Sequence, residues 1–174
     1  MKQFRDTSNV VLVGPMGVGK TTIGRQLAKA LRMQFKDSDR EIEQRTGVDI
    51  PLIFEKEGEG GFRRRESQMI EELMWQGSLV LATGGGAVID PDNRRVMAER
   101  GVVIYLCAEV AQLLERTAKD EKRPLLQTAD PEKRIRELIE ARHPLYSEVA
   151  SFVVNTGGRS VKSVIKEILN KLNK

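Results

Sequence analysis

The chain has one cysteine in 174 residues, so no disulfide framework can form within it. That residue, Cys107, sits in the apolar run VVIYLCA and reads as a small core thiol on a buried strand. No run approaches the roughly 18 apolar residues of a spanning helix. The opening stretch MKQFRDTS holds no hydrophobic segment either, so a cytosolic protein without membrane contact is expected. Aromatic residues make up only 5%, and acidic residues are interleaved with basic ones almost everywhere. The net charge of +4 therefore does not mark a nucleic-acid surface; a polyphosphate or a small anionic substrate accounts for it equally well. Internal repeats and low-complexity linkers are also lacking, and the length suits one buried core, hence a single domain over 1–174.

What the sequence does have is alternation. Apolar runs rich in β-branched residues appear as NVVLVG, SLVLATGG, VVIYLCA and SFVVNT, with MQFKDSD a shorter fifth. Helical patterns lie between them, the clearest placing Val161, Val164, Ile165, Ile168, Leu169 and Leu172 on one face behind a capping Ser160. Near-continuous apolar strands alternating with amphipathic helices predict an α/β fold, a parallel sheet covered on both sides by helices. The charged, irregular stretch from Lys119 to Pro131 interrupts this rhythm and is a candidate lid.

Between the first strand and the first helix stands GPMGVGKTT, which fits G-x-x-x-x-G-K-[ST] in the context that motif requires. Gly14, Gly17 and Gly19 let backbone N–H groups turn inward around phosphate oxygens, beside the positive end of the following helix. Lys20 is placed to reach the β- and γ-phosphates and the Thr21 hydroxyl to ligate Mg²⁺. A guanine-specific switch would offer N-K-x-D at a strand end; Asn170-Lys171-Leu172-Asn173 lies late in a helix and lacks the aspartate. A hydrolytic motor would end a core strand in an acidic residue, whereas SLVLATGG ends in Thr83-Gly84. The missing carboxylates are offered by Asp37 and Asp39, which project from one side if the strand continues through both. They suit hydrated Mg²⁺ and a substrate hydroxyl proton; equally, Asp39 suits the cap of the next helix.

Taken in order, GPMGVGKTT, the DSD pair, GFRRRE, ATGGGAV, KRPLL, ARHPLY and VNTGGRS resemble the shikimate kinase family over nearly the whole chain. The resemblance implies a three-layer P-loop fold with five parallel strands in the order 2-3-1-4-5 and a lid. It also implies ATP-dependent phosphorylation of the 3-hydroxyl of shikimate by a monomer. In the family pattern Asp39 binds and activates that hydroxyl, and Asp37 lies near Mg²⁺. Arg63 and Arg142 hold the substrate carboxylate, with Gly84, Gly85 and Gly86 lining the site. ATP falls to Gly14, Gly17, Val18, Gly19, Lys20, Thr21 and Thr22. Arg123 closes over its phosphates from the lid, and Arg116 and Arg159 flank the adenine. Gluconate-type and nucleoside monophosphate kinases share the loop and the lid arginines, and GFRRRE with ATGGGAV separates them. A non-catalytic nucleotide-binding module would not need Lys20, the acidic pair and a lid arginine together.

Physical readings accompany these assignments. Three glycines after a core strand leave no side chain to block close approach by a ligand. Arg142 continues the stripe of Ile135, Leu138 and Ile139, just before His143-Pro144, where a helix stop is expected. His143 neighbours that stop and is assigned no chemistry. In GFRRRESQMIEELMW the residues Phe62, Met69, Ile70, Leu73 and Met74 form an inward stripe. On a helical wheel Arg63 lies about 60° from its centre, Arg65 about 100° and Arg64 about 160°. Only Arg63 borders the interior. Glu66 falls inside the stripe three residues later, where an arginine partner relieves the cost of burying a carboxylate.

Overall fold

A computed structural model describes residues 8–118 and 127–173. Its strands are β1 (Asn9–Val13), β2 (Gln34–Asp37), β3 (Leu79–Ala82), β4 (Gly101–Cys107) and β5 (Phe152–Asn155). They form one parallel sheet in the order β2-β3-β1-β4-β5, the order expected from the resemblance. Helices α1 (Lys20–Leu31), α2 (Ser38–Thr46), α3 (Ile50–Gln76), α4 (Pro91–Arg100), α5 (Val110–Thr117), α6 (Pro131–Val149) and α7 (Val161–Leu172) cover it.

The near-continuous apolar strands are explained by a core on each face. Val11 and Val13 of β1 join Leu79, Leu81 and Val103 in packing against the inward stripe of α3, while Val10 and Leu12 join Val80, Ile104 and Leu106 against α1 and α7. Successive residues point to opposite faces and both faces of β1, β3 and β4 are covered, so these strands are mainly apolar, and the buried Asn9 on β1 donates its side-chain amide to the Met74 and Arg100 carbonyls. The α7 face predicted from spacing is confirmed, with Val164, Ile165, Ile168 and Leu172 buried and the Ser160 hydroxyl accepting from the Ser163 amide at 3.1 Å.

Two boundaries differ from expectation. Helix α6 does not stop at His143 but runs through Pro144 to Val149. A proline forfeits one backbone donor, and the buried Tyr146 and Val149 beyond it hold the last turn against the core. The candidate lid is also shorter at its far end, because Asp130 caps α6 by accepting from the Lys133 amide at 3.1 Å and Pro131 is its first residue. Residues 119–126, with Arg123 among them, lie outside the described residues.

β1 has β3 on one side and β4 on the other, so the chain leaves it at the point where strand order reverses. In open parallel sheets the crevice beyond the strand ends at this point is where ligands bind. The loop after β1, the turn after β3 and the start of α2 all open there.

Candidate active site

The loop from Gly14 to Thr21 is built as a cradle. Gly17 and Gly19 take φ of 80° and 101°, which side chains other than glycine rarely adopt, and Gly19 is the N-cap of α1. A Cβ at Gly14 would strike the Leu106 carbonyl of β4. Lys20 bends back over the loop and donates to the carbonyls of Gly14 at 2.6 Å and Pro15 at 2.8 Å. Thr21 donates to Asp37 Oδ2 at 2.8 Å.

Asp37 and Asp39 both line the cleft, but not by strand alternation. The strand ends at Asp37, and α2 begins at Ser38, because Asp37 Oδ1 accepts from the amides of Asp39 at 3.0 Å and Arg40 at 3.3 Å. Asp37, not Asp39, is therefore the helix cap. Ser38 between them is fully buried, and its Oγ accepts from the Gly84 amide at 3.2 Å. Of the triglycine amides, that of Gly84 is thus already taken by the protein.

None of the three glycines needs a left-handed backbone. Gly84 and Gly86 are required by what lies against them, while a Cβ at Gly85 would meet only ordinary contact. A Cβ at Gly84 would sit 2.8 Å from Glu66 Oε2 and 2.9 Å from Asp39 Oδ1, one at Gly85 would sit 3.5 Å from Arg142 Nη1, and one at Gly86 would fall inside the Arg63 guanidinium. The turn is stripped of side chains so that four charged groups can close on it. It is held from behind by Tyr146, one helical turn beyond Arg142, whose hydroxyl donates to the Gly85 carbonyl at 2.5 Å. Neither Ser38 nor Tyr146 was singled out from the sequence, although the i, i+4 spacing of Arg142 and Tyr146 on α6 was a usable signal.

Arg63 and Glu66 meet as the wheel predicts. Arg63 Nη1 donates to Glu66 Oε1 at 2.8 Å and Nη2 to Glu59 Oε1 at 3.2 Å, with the side chains of Arg63 and Glu66 19% and 1% exposed. Arg64 is exposed, and Arg65 turns away to Glu57, with bonds of 2.6 and 2.9 Å. Burial alone would lower the Arg63 pKa, and Glu66 with Glu59 more than reverses this. Burial pushes the Glu66 carboxyl above its ordinary value against the pull of Arg63. Burial likewise raises the phenols of Tyr105 and Tyr146 to about 12.

These groups enclose a cleft of about 630 Å³, with the phosphate loop at one end. Lys20, Thr21, Thr22, Asp37, Asp39, Arg63, Gly84, Gly85, Gly86 and Arg142 line it, and Phe54 and Phe62, ring centroids 5.0 Å apart, belong to its apolar wall. Gly14 and Val18 belong to the loop but are not among the residues that line the cleft. Arg116 lies outside the cleft and donates to the loop carbonyls of Gly17 at 3.2 Å and Val18 at 3.3 Å. Arg159 is bound into α7 through Glu167 at 2.6 Å and to the Asn155 carbonyl at 2.9 Å. His143 is exposed outside the cleft, its Nδ1 3.0 Å from Tyr105 Oη. Cys107 is half-buried at the end of β4, its pKa raised chiefly by burial, which fits a packing thiol and not a nucleophile. Among the described residues no helix is long and apolar enough to cross a membrane.

A phosphate cradle at the switch point of a five-stranded parallel sheet, facing two arginines and two carboxylates across one cleft, defines a P-loop kinase of the small-molecule type. The family model for shikimate kinase matches residues 16–173, and the chain belongs to that family. It is 55% identical over 98% of its length to a shikimate kinase from Methylococcus capsulatus, covering 96% of that protein. A shikimate kinase from Thioalkalivibrio sulfidiphilus is 57% identical over 93% of this chain and 85% of its own. Among solved structures, a shikimate kinase from Acinetobacter baumannii superposes with a TM-score of 0.93 at 49% identity, covering 95% of this chain and 93% of that one. The chain is accordingly an ATP-dependent kinase of that family.

Proposed function

We propose that the cleft transfers the γ-phosphoryl group of ATP to the 3-hydroxyl of shikimate, giving shikimate 3-phosphate and ADP. The observation that carries this reading is the convergence of Arg63 and Arg142 on the Gly85–Gly86 turn, in the same cleft as Lys20 and Asp39. Two guanidinium groups from different helices suit a carboxylate gripped through paired N–H donors. The Acinetobacter baumannii structure is a complex with shikimate, which supports that acceptor.

The residues then divide the work. Arg63 and Arg142 fix the acid, aided by the Gly85 and Gly86 amides, while Phe54 and Phe62 exclude water from one side. Asp39 orients the acceptor hydroxyl and takes its proton. Lys20 and the loop amides hold the phosphates, and Arg123 adds charge at the transferring group. Arg116 and Arg159 serve the adenine end. Thr21 and Asp37 form a pair of hard oxygen donors in mutual contact, which fits Mg²⁺, an ion that keeps several waters and takes only one or two protein ligands. Bound there, Mg²⁺ would neutralise charge on the β- and γ-phosphates. The enzyme works as a cytosolic monomer and needs neither nucleic acid nor membrane.

Asp39→Asn tests the division of labour against Asp37→Asn. The first variant is expected to bind MgADP normally and to lose turnover at every Mg²⁺ concentration. The second should recover part of its rate as Mg²⁺ is raised. Identical responses of the two to Mg²⁺ would refute the assignment.

A further inference from the structure

Three elements meet behind the phosphate loop. Thr156 follows β5, its side chain is 3% exposed, and its hydroxyl donates to the Val18 carbonyl at 2.9 Å across 138 residues of sequence. Its own amide is fixed by donating to the Cys107 carbonyl at the end of β4, at 2.8 Å. Arg116 adds a second donor to the same Val18 carbonyl at 3.3 Å, and the Thr117 methyl packs where a Gly17 side chain would stand.

The planar trans peptide gives these bonds a consequence at the front of the loop. Within one peptide unit the C=O and N–H point in opposite directions. The Val18 carbonyl is drawn back toward Thr156, so the Gly19 N–H of the same unit is turned forward. Val18 is fully buried while Gly19 lines the cleft, and among the described residues the Gly19 amide donates to no protein acceptor. Gly19, with φ of 101° and no side chain, would otherwise be free to rotate this unit.

We propose that Thr156 is a positioning residue for ATP: its hydroxyl, by holding the Val18 carbonyl, keeps the Gly19 amide aimed at the bound phosphates. The role rests on the ATP reading of the loop and goes beyond the adenine-end part assigned to this segment. Arg63 and Arg142 sit on α3 and α6, away from the loop peptide that Thr156 holds, so the effect is expected at the nucleotide and not at the acceptor.

Thr156→Val keeps the shape and removes the hydroxyl; Thr156→Ser restores it. Calorimetric titration with MgADP, and separately with shikimate, is expected to show about tenfold weaker MgADP binding for valine. Serine should stay within about twofold of the parent. Shikimate affinity should be unchanged in both, and the KM for ATP should rise while that for shikimate does not. Should the valine variant not fold, Thr156→Ala decides by the same comparison. Folded valine and alanine variants that bind MgADP like the parent, or equal losses for MgADP and shikimate, would overturn the proposal. A parent protein that binds no MgADP would instead overturn the ATP reading.

Discussion

Replacing Arg63 with alanine removes the fork that pairs with Glu66 and that we propose grips the substrate carboxylate. Loss of one side of a desolvated charge pair costs about 2–5 kcal/mol, equivalent to about 30- to 5,000-fold in affinity. Arg63 is 19% exposed, not fully buried, and shares its donors with the exposed Glu59, so the lower end applies. The expected loss is about 30-fold in shikimate binding. A complication arises on the other side of the pair. Glu66 is 1% exposed, its Oε2 has no hydrogen-bond partner among the described residues, and without Arg63 its charge would be stranded. Stranding a buried charge costs about 3–5 kcal/mol of stability. Burial already raises the Glu66 pKa, so protonation offers an escape that limits this cost. A double-mutant cycle with Glu66→Gln separates the two effects. Shikimate titration into Arg63→Ala, Glu66→Gln, the double variant and the Arg64→Ala and Arg65→Ala controls should show that Glu66→Gln weakens binding only when Arg63 is present. Arg64→Ala should be silent. Equal losses at 63, 64 and 65, or an undiminished Glu66 effect in the absence of Arg63, would show that Arg63 is not the carboxylate's partner.

Further predictions concern backbone and pH. Gly86→Ala places a methyl group inside the Arg63 guanidinium and should raise the KM for shikimate about tenfold with the KM for ATP unchanged; Gly60→Ala, whose nearest neighbour would be Arg64 Nη1 at 3.6 Å, should leave both constants alone and stabilise the fold by about 0.5–1 kcal/mol in denaturant titration. The two tyrosines of the chain are Tyr105 and Tyr146, both raised from 10.0 to about 12 in the folded state. A raised tyrosine pKa contributes stability below pH 10 that is lost as pH climbs toward about 12, so tyrosinate absorbance should appear together with unfolding in that window. Titration of either phenol near pH 10 with the fold intact would contradict their burial.

The sheet was legible because β1, β3 and β4 carry apolar residues on both faces, as a doubly covered parallel strand requires, whereas the edge strand β2, with Phe35 as its one apolar residue, gave the weaker signal. The phosphate loop was legible for a different reason: left-handed backbone at Gly17 and Gly19 is a local requirement written in the residues themselves. Arg63 and Glu66 could be read because both lie in the part of α3 beyond the non-helical Gly58, where the apolar stripe is regular. Asp37 and Asp39 line one cleft, but not by the strand alternation assumed from the sequence, since a side-chain cap from Asp37 turns the chain into a helix at Ser38, before the strand can continue through Asp39. Pro144 signalled a stop that the tertiary burial of Tyr146 and Val149 overrides. Ser38, Tyr146 and Thr156 stayed hidden because their partners are backbone groups 46, 61 and 138 residues away, and a hydroxyl alone does not announce a distant carbonyl or amide.

In the proposed mechanism the arginine pair and the Gly84–Gly86 turn choose the acceptor while the loop supplies ATP. Coupled ADP-release assays with MgATP and, in turn, shikimate, gluconate, AMP or no acceptor test it directly. ADP formation only with shikimate is the predicted result, and equal release without any acceptor, or preference for gluconate or AMP, would contradict the account.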